Sequence, residues 1–560
     1  MSATPLQAHF SLKDWFRPQG PPAWRQLLDY WSAQLELGPQ FFSHHLSAMP
    51  DPMVLKNLPQ AVELLLERLQ EGKEVLVLGD YDVDGVTSTA LLVRFLRALG
   101  FKVQALIPNR FSEGYGLTEA VVKRVLALKP QLVVTVDNGI TAGAEVAQLK
   151  AAGVEVIVTD HHLPVPGKMP DGLVVNPKQA DCPFEEKDIS GVGLAFMLLV
   201  GLRKKLREQG FWVGKTEPNL LEHLDLVALG TVADQVPLRG LNRLLTHHGL
   251  EQMRRRLREP QGPGAQYLSC FSQAQGLHFV DSETLAFRLA PLLNAAGRMD
   301  DAGLALDFLL ETEPARSQAL FDELTRLNGL RKRRQQTMAQ QAVEQAAPQY
   351  QTQGAALVYA PDWHEGLLGI VATRLVEQFG GPALVCTQGS DGRIKGSARS
   401  KGAHMLDLLT SCAGHLDQFG GHAQAAGCTF KVEQLEALRL ALGQAAQTHG
   451  PGLDPPAADV EINPEMIGVE LVDGLKALEP FGQGNKKPVF LLRRLPLNSP
   501  RQLAGSHLKW DLGPAMELIR WDGVREGWGA GDFELTCTLS ENRFRGKVSL
   551  QLIAQKMRAL

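Results

Sequence analysis

Four short acidic segments hold the side chains best suited to chemistry. The first is Asp80-Tyr81-Asp82-Val83-Asp84-Gly85, with three carboxylates inside five residues. The second is Asp137-Asn138-Gly139, the third Asp160-His161-His162, and the fourth is Asp234 within ALGTVADQVPL. Carboxylates so close repel one another unless cations neutralise them. Mixed with neutral imidazole, they suit Mn2+ or Mg2+ better than a sulfur-rich set does. Two such ions about 4 Å apart can activate a water and stabilise both oxygens of a phosphoester displacement, so no nucleophilic Ser or Cys is required. Each segment alone has an ordinary structural explanation. A D-x-D is commonly a turn or helix cap, a His-His a packed or surface pair, and a strand-ending Asp the cap of the next helix.

Their placement favours the chemical explanation. EVLVLG (74–79) precedes the first segment, LVVTV (132–136) the second and VEVIVT (154–159) the third. The helical pattern TSTALLVRFLRAL follows the first, and further helices are expected from Thr118 and near 141–151. Apolar strands spaced by helices predict a parallel α/β sheet, which gathers the strand C-terminal ends into one crevice. All four segments are then candidates for a single dinuclear site.

The remaining chain divides by pattern. Residues 1–70 read as an irregular arm containing Trp15, Trp24 and Trp31, followed by a helix; the α/β domain spans 71–300 and is mostly helical from 193. Connecting helices are expected over 301–348 and a second, smaller α/β domain over 349–450. GPGLDPPAAD (450–459) is a joint, and the short strand-like runs of 459–560 predict a small β-barrel.

With 560 residues the chain exceeds what one core supports. Composition is that of a folded protein, 44% hydrophobic and 21% charged. Net charge is −4, so bulk charge gives no support to nucleic-acid binding; basic runs at Arg254–Arg258 and Arg331–Arg334 read equally as solvated helix faces or phosphate tracks. The six scattered cysteines form no C-x-x-C pair and fit a reducing cytosol. Neither a signal peptide nor a membrane span is read from the sequence, so a cytoplasmic location is expected.

DYDVDG, VDNG, TDHH and VADQVPL resemble, in order, the four motifs of the DHH phosphoesterases. That resemblance implies that Asp82, Asp84, Asp137, His161 and Asp234 hold two ions, Mn2+ or Mg2+, with Asp137 bridging. Smaller family members carry a His upstream of D-x-D where this chain has Leu78, and Asp80 would replace it as a ligand, as in the RecJ branch. His162 would face the scissile phosphate and Asp160 would orient a histidine.

PNRFSEGYGL (108–117), ISGVGLAFML (189–198) and LAPLLNAAGRMDDA (289–302) are similar to RecJ exonucleases, and GSARS (396–400) with GGHAQAAG (420–427) to the DHH-associated domain. The substrate residues implied are Arg110, Asn294, Arg298, Ser397, Arg399, Gly420, Gly421 and His422. The last three are expected to form a turn into a short helix whose amides bind an anion. LEPFGQGNKKPVF (478–490) and the tail resemble the RecJ OB-fold region, where Phe481, Phe490, Trp510, Trp521, Lys486 and Lys487 are available for single-strand binding.

The resemblance implies a 5′-to-3′ exonuclease for single-stranded DNA that releases 5′-mononucleotides in DNA repair and recombination. A monomer is expected, with single-strand-binding protein and a helicase as candidate partners. Strand preference would come from an opening between the two α/β domains too narrow for a duplex. Two rivals are an oligoribonucleotide or cyclic-dinucleotide phosphodiesterase, which is usually shorter and lacks the tail, and a non-catalytic single-strand-binding scaffold, which would have lost metal carboxylates.

Overall fold

A computed structural model describes residues 8–11, 25–26, 29, 39–389, 391–449, 458–503, 505–513, 515–544 and 547–560. Trp15, Trp24 and Trp31 of the arm lie outside these residues.

The amino-terminal arm contributes strand β1 (Ala8–Ser11), which pairs in parallel with a strand 450 positions later, Ala8 opposite Ala458. The arm is therefore an edge of the carboxy-terminal sheet and not a separate unit. No local pattern announces a pairing across that separation. After the helix Leu58–Glu71 comes the first α/β sheet: β2 (Glu74–Leu78), β3 (Lys102–Leu106), β4 (Leu132–Val136), β5 (Glu155–Thr159) and β6 (Leu173–Val175), all parallel, in the order 3-2-4-5-6. β4 is buried at every position because helices cover both faces. Chain order reverses between β2 and β4, so the crevice forms beyond their carboxy ends, where the first two acidic segments sit.

Helices dominate from Gly191 to Gln353. The connection to the next domain is Gly303–Leu310 followed by one 40-residue helix, Pro314–Gln353, which passes through Pro348 and overruns the expected limit of 348. The Gln345 and Gln349 side chains near its end bond the main chain at Tyr359 and Leu357, anchoring that turn to the strand that follows.

The second sheet contains β7 (Ala356–Tyr359), β8 (Ala383–Gln388), β9 (Ile394–Arg399), β10 (Gln418–Gly421) and β11 (Ala425–Phe430), in the order 10-11-9-8-7. Only β7 and β8 are parallel; β9, β11 and β10 follow antiparallel. Gly420 and Gly421 therefore lie in an exposed edge strand of a hairpin, with His422 at its turn and no helix after them, which corrects the expected turn into a helix.

The third sheet joins β1, β12 (Ala458–Glu461), β13 (Phe490–Leu497), β14 (Arg501–Gln502), β15 (Leu508–Gly513), β16 (Met516–Arg520), β17 (Gly531–Phe544) and β18 (Lys547–Ala559). Its core contains Phe41, Phe481, Phe490 and Trp510. Three of the four tail aromatics considered for base stacking are thus core residues, and Trp521 alone among them is exposed, at 50%.

Candidate metal centre

Each acidic segment is placed by the backbone physics of its strand end. Asp82 caps the helix Val83–Ala98, accepting from the amides of Asp84 and Gly85 at 3.0 and 3.1 Å. Gly85 is required there because a Cβ would lie 2.5 Å from the Asp80 nitrogen. Asp137 follows β4 with φ of 62°, a left-handed conformation that is uncommon for a non-glycine and is seen at functional sites. Gly191, at the start of the helix Gly191–Glu208, lets that helix approach: a Cβ would stand 2.8 Å from the Asp137 carboxylate. The amides of Gly191 and Val192 donate to Asp84 at 2.7 and 2.9 Å. Each carboxylate oxygen keeps a further lone pair for an ion.

These placements bring the ligand candidates together. Donor atoms of Asp80, Asp82 and Asp137 lie within 4.8 Å of one another, as do those of Asp84, His161 and Asp234, and of Asp137, His161 and His162. His161 Nε2 is 3.1 Å from Asp137 Oδ1, 3.5 Å from Asp234 Oδ2 and 3.9 Å from Asp84 Oδ2. Asp137 and His161 share the third of these groups and so link the other two, the arrangement a bridged ion pair needs. Buried Asp80 Oδ1, Asp137 Oδ1 and His161 Nε2 have no hydrogen-bond partner, so donor atoms are free for coordination. All-oxygen and imidazole donors fit Mn2+ or Mg2+.

The electrostatics agree. Burial and then the neighbouring carboxylates push Asp80, Asp84 and Asp137 well above the usual range. The same causes raise Asp234 to about 6, while burial and then the positive His162 lower His161 to about 3, keeping it the neutral form a ligand must be. Burial would also lower His162, but its bond to Asp160 and the surrounding carboxylates raise it to about 9. Burial would raise Asp160, yet the bond from His162 Nδ1 at 2.7 Å and amide bonds from His162 and Ile140 hold it below the usual carboxylate range. Asp160 thus orients His162, which is 41% exposed toward the crevice.

Four arginines form a positive wall. Arg298 is partly buried and lowered to about 10, by burial and then by Arg110 and Arg331, with Arg399 also contributing. Arg298 donates to the Gly366 carbonyl at 3.2 Å, and Arg399 to the Ser397 hydroxyl and the Ala398 carbonyl at 3.1 and 2.8 Å. Arg110 lies 5.1 Å from the Tyr81 ring centroid. Among the described residues none of the four is ion-paired, so their charge is available to an anion. Strand register sets Ser397 opposite Gly427, and Gly427 opposite Gly420, in one row, with Arg399 opposite Ala425 near the hairpin tip. Asn294 lies on the same helix as Arg298 and lines an adjoining cavity.

Sequence reasoning missed Tyr81 and Tyr115. Tyr115 donates to the Asp137 carbonyl at 3.3 Å, and its ring stands edge-on to both Tyr81 and His162. Both sit inside segments singled out for their neighbours, which was the available signal. Of the basic runs, Arg256 is buried against Asp225, and Arg254 bonds the Val280 carbonyl and Glu251, so both are structural; Arg331 belongs to the arginine wall.

Comparison with known proteins agrees with this geometry. The profile of the DHH family, N-terminal domain, matches residues 74–231, the DHHA1 domain 351–448 and the RecJ OB domain 458–556. The single-stranded-DNA-specific exonuclease RecJ of Salmonella typhimurium is 38% identical over 526 residues, covering 89% of this chain and 90% of that protein. RecJ of Escherichia coli K12 is 37% identical over 525 residues, with 89% and 90% covered. The crystal structure of Thermus thermophilus RecJ with Mn2+ superposes with a TM-score of 0.77 at 33% identity, covering 96% of this chain and 78% of that one. A Mg2+ complex of the same protein gives 0.71 at 31%, covering 96% and 77%. Three domain matches in order, together with identity sustained over nine-tenths of the length, carry the conclusion that this chain belongs to the RecJ family.

Proposed function

We propose that the protein is a single-strand-specific 5′-to-3′ exodeoxyribonuclease that hydrolyses phosphodiesters with two divalent ions and releases 5′-mononucleotides. The observation that carries the reading is the linked set of carboxylate and carboxylate–imidazole groups beside arginines that lack an ion-pair partner among the described residues. Asp80, Asp82, Asp84, Asp137, His161 and Asp234 would hold the ions, which when bound supply a water nucleophile and Lewis-acid stabilisation of the phosphoryl oxygens. His162, oriented by its bond to Asp160, would face the scissile phosphate. Arg110 and Arg298 neutralise phosphate charge and orient it, for which planar guanidinia are suited. Ser397, Arg399 and the Gly420–His422 hairpin stand on a different domain from the metal ligands and bind the terminal 5′-phosphate, which sets polarity. Six buried, unpaired cysteines support work in a reducing compartment.

The test is digestion of end-labelled single-stranded and duplex oligonucleotides with Mn2+, with Mg2+ and with EDTA. Expected is loss of nucleotides from the 5′ end of single strands only, abolished by EDTA. Digestion from the 3′ end, or equal digestion of duplex, would overturn the reading.

A further inference from the structure

A cavity of about 490 Å3, of the size that holds a small organic ligand, adjoins the metal centre, and of its lining only Arg298 has a role in the reaction above. Ala233 and Gln235, on either side of Asp234, line it together with Arg298. Phe481, Gly482, Gln483, Lys486 and Lys487, from the segment that leads into the carboxy-terminal sheet, line it as well. The cavity thus joins the ligand group to the domain matched by RecJ OB.

Its rim carries Phe287, which is 77% exposed. That residue lies in Leu285–Leu289, where the helix widens and the Ala290 amide bonds back to the Leu285 carbonyl five residues earlier. Such widened turns are rare and gather at functional positions. Arg331 also lines the cavity, and its Nε is buried without a hydrogen-bond partner. A flat aromatic face, an unpaired cation and the amides of Gln235 and Asn294 share this space. They match the parts of one nucleotide: a base to stack, a phosphate to neutralise and base edges to bond.

We infer that this cavity is a nucleobase subsite for the strand running between the metal centre and the carboxy-terminal domain, with Phe287 as its stacking platform. The inference rests on the single-strand reading above, and the test separates the two. Full-length protein in EDTA is mixed with 5′-phosphorylated 12-mers carrying 2-aminopurine at each position in turn. One or two adjacent internal positions should lose fluorescence with wild type and with Phe287→Trp, and keep it with Phe287→Ala. Phe287→Ala should also bind the 12-mer about five- to hundredfold more weakly at unchanged thermal stability, as loss of one base stack implies. Digestion with Mn2+ is run in parallel. Normal digestion with no Phe287-dependent position overturns the subsite and leaves the exonuclease standing. No digestion, with Phe287-dependent quenching, upholds the subsite and removes the exonuclease. Failure of both overturns both.

Discussion

Asp137 is the residue on which the centre turns, since it belongs to two of the three donor groups and sits in strained backbone. Asp137→Ala should lower turnover by more than the roughly 10–100-fold typical of losing an outer-shell partner. Its melting temperature should hold or rise, because the change relieves repulsion among buried carboxylates. Near-normal turnover in the purified variant would end the two-ion mechanism. Asp160→Ala should fall within that 10–100-fold band, since Asp160 acts through His162; a loss equal to that of Asp137→Ala would make it a ligand. Arg399 supplies the polarity test. With no carboxylate paired to it among the described residues, its removal should cost about 1.5–3 kcal/mol of charge-assisted contact on 5′-phosphorylated DNA, roughly tenfold or more in rate or affinity. On 5′-hydroxyl DNA the variant should stay much closer to wild type. Equal losses on both substrates would remove the case for a terminal-phosphate site.

At the scale of elements, legibility followed burial. β4 matched LVVTV residue for residue because a strand covered on both faces must be apolar throughout. Thr118 was readable as a helix start, and it caps Glu119–Leu128 by accepting from the Val121 amide. β10 was not readable: it is fully exposed and glycine-rich, so it carries the composition of a turn. In the tail, short runs predict strands but not their inward faces, so Phe490 and Trp510 read as available to DNA while they fill a core. Buried polar elements leave a different trace, in pH dependence. His223, beside Phe95 and ahead of the helix Leu224–Asp234, is held down to about 4 by burial and then by Arg94. Unfolded, it titrates near 6.5. Between those values the unfolded chain binds the proton and the folded chain does not, so stability is lost as pH falls from about 6.5 to about 4 and is unaffected above. The size is up to roughly 3 kcal/mol. His223→Gln should flatten this part of the profile of melting temperature against pH, and an unchanged slope between pH 7 and 4.5 would show that His223 is not the group responsible.

Across the whole molecule, a buried cation is among the contacts that tie the carboxy-terminal sheet to the catalytic domain. Arg243, 3% exposed, donates to the carbonyls of Phe41, Leu478 and Ala477 at 3.1, 2.8 and 3.1 Å, and its guanidinium lies 3.8 Å from the Phe41 ring centroid. One side chain on the helix Gly240–Arg258 thus fastens both the segment after the arm and the segment before β13. Leu238 adds a main-chain bond to Gln483 at 2.7 Å. Deleting residues 459–560 therefore removes two things, the proposed single-strand-binding surface and two of the three carbonyl partners of Arg243, those of Leu478 and Ala477. It should weaken binding of a single-stranded 20-mer by roughly tenfold or more and also lower thermal stability. Arg243→Met separates these effects. It keeps the stem and removes the bonds, so it should cost about 3 kcal/mol of stability, the value of hydrogen bonds made by a charged group. Affinity for the 20-mer at a temperature where both proteins are folded should stay within a few-fold of wild type. If Arg243→Met loses affinity as fully as the deletion does, the sheet binds DNA only when fastened to the catalytic domain, and single-strand recognition belongs to the joined surface and not to the barrel alone.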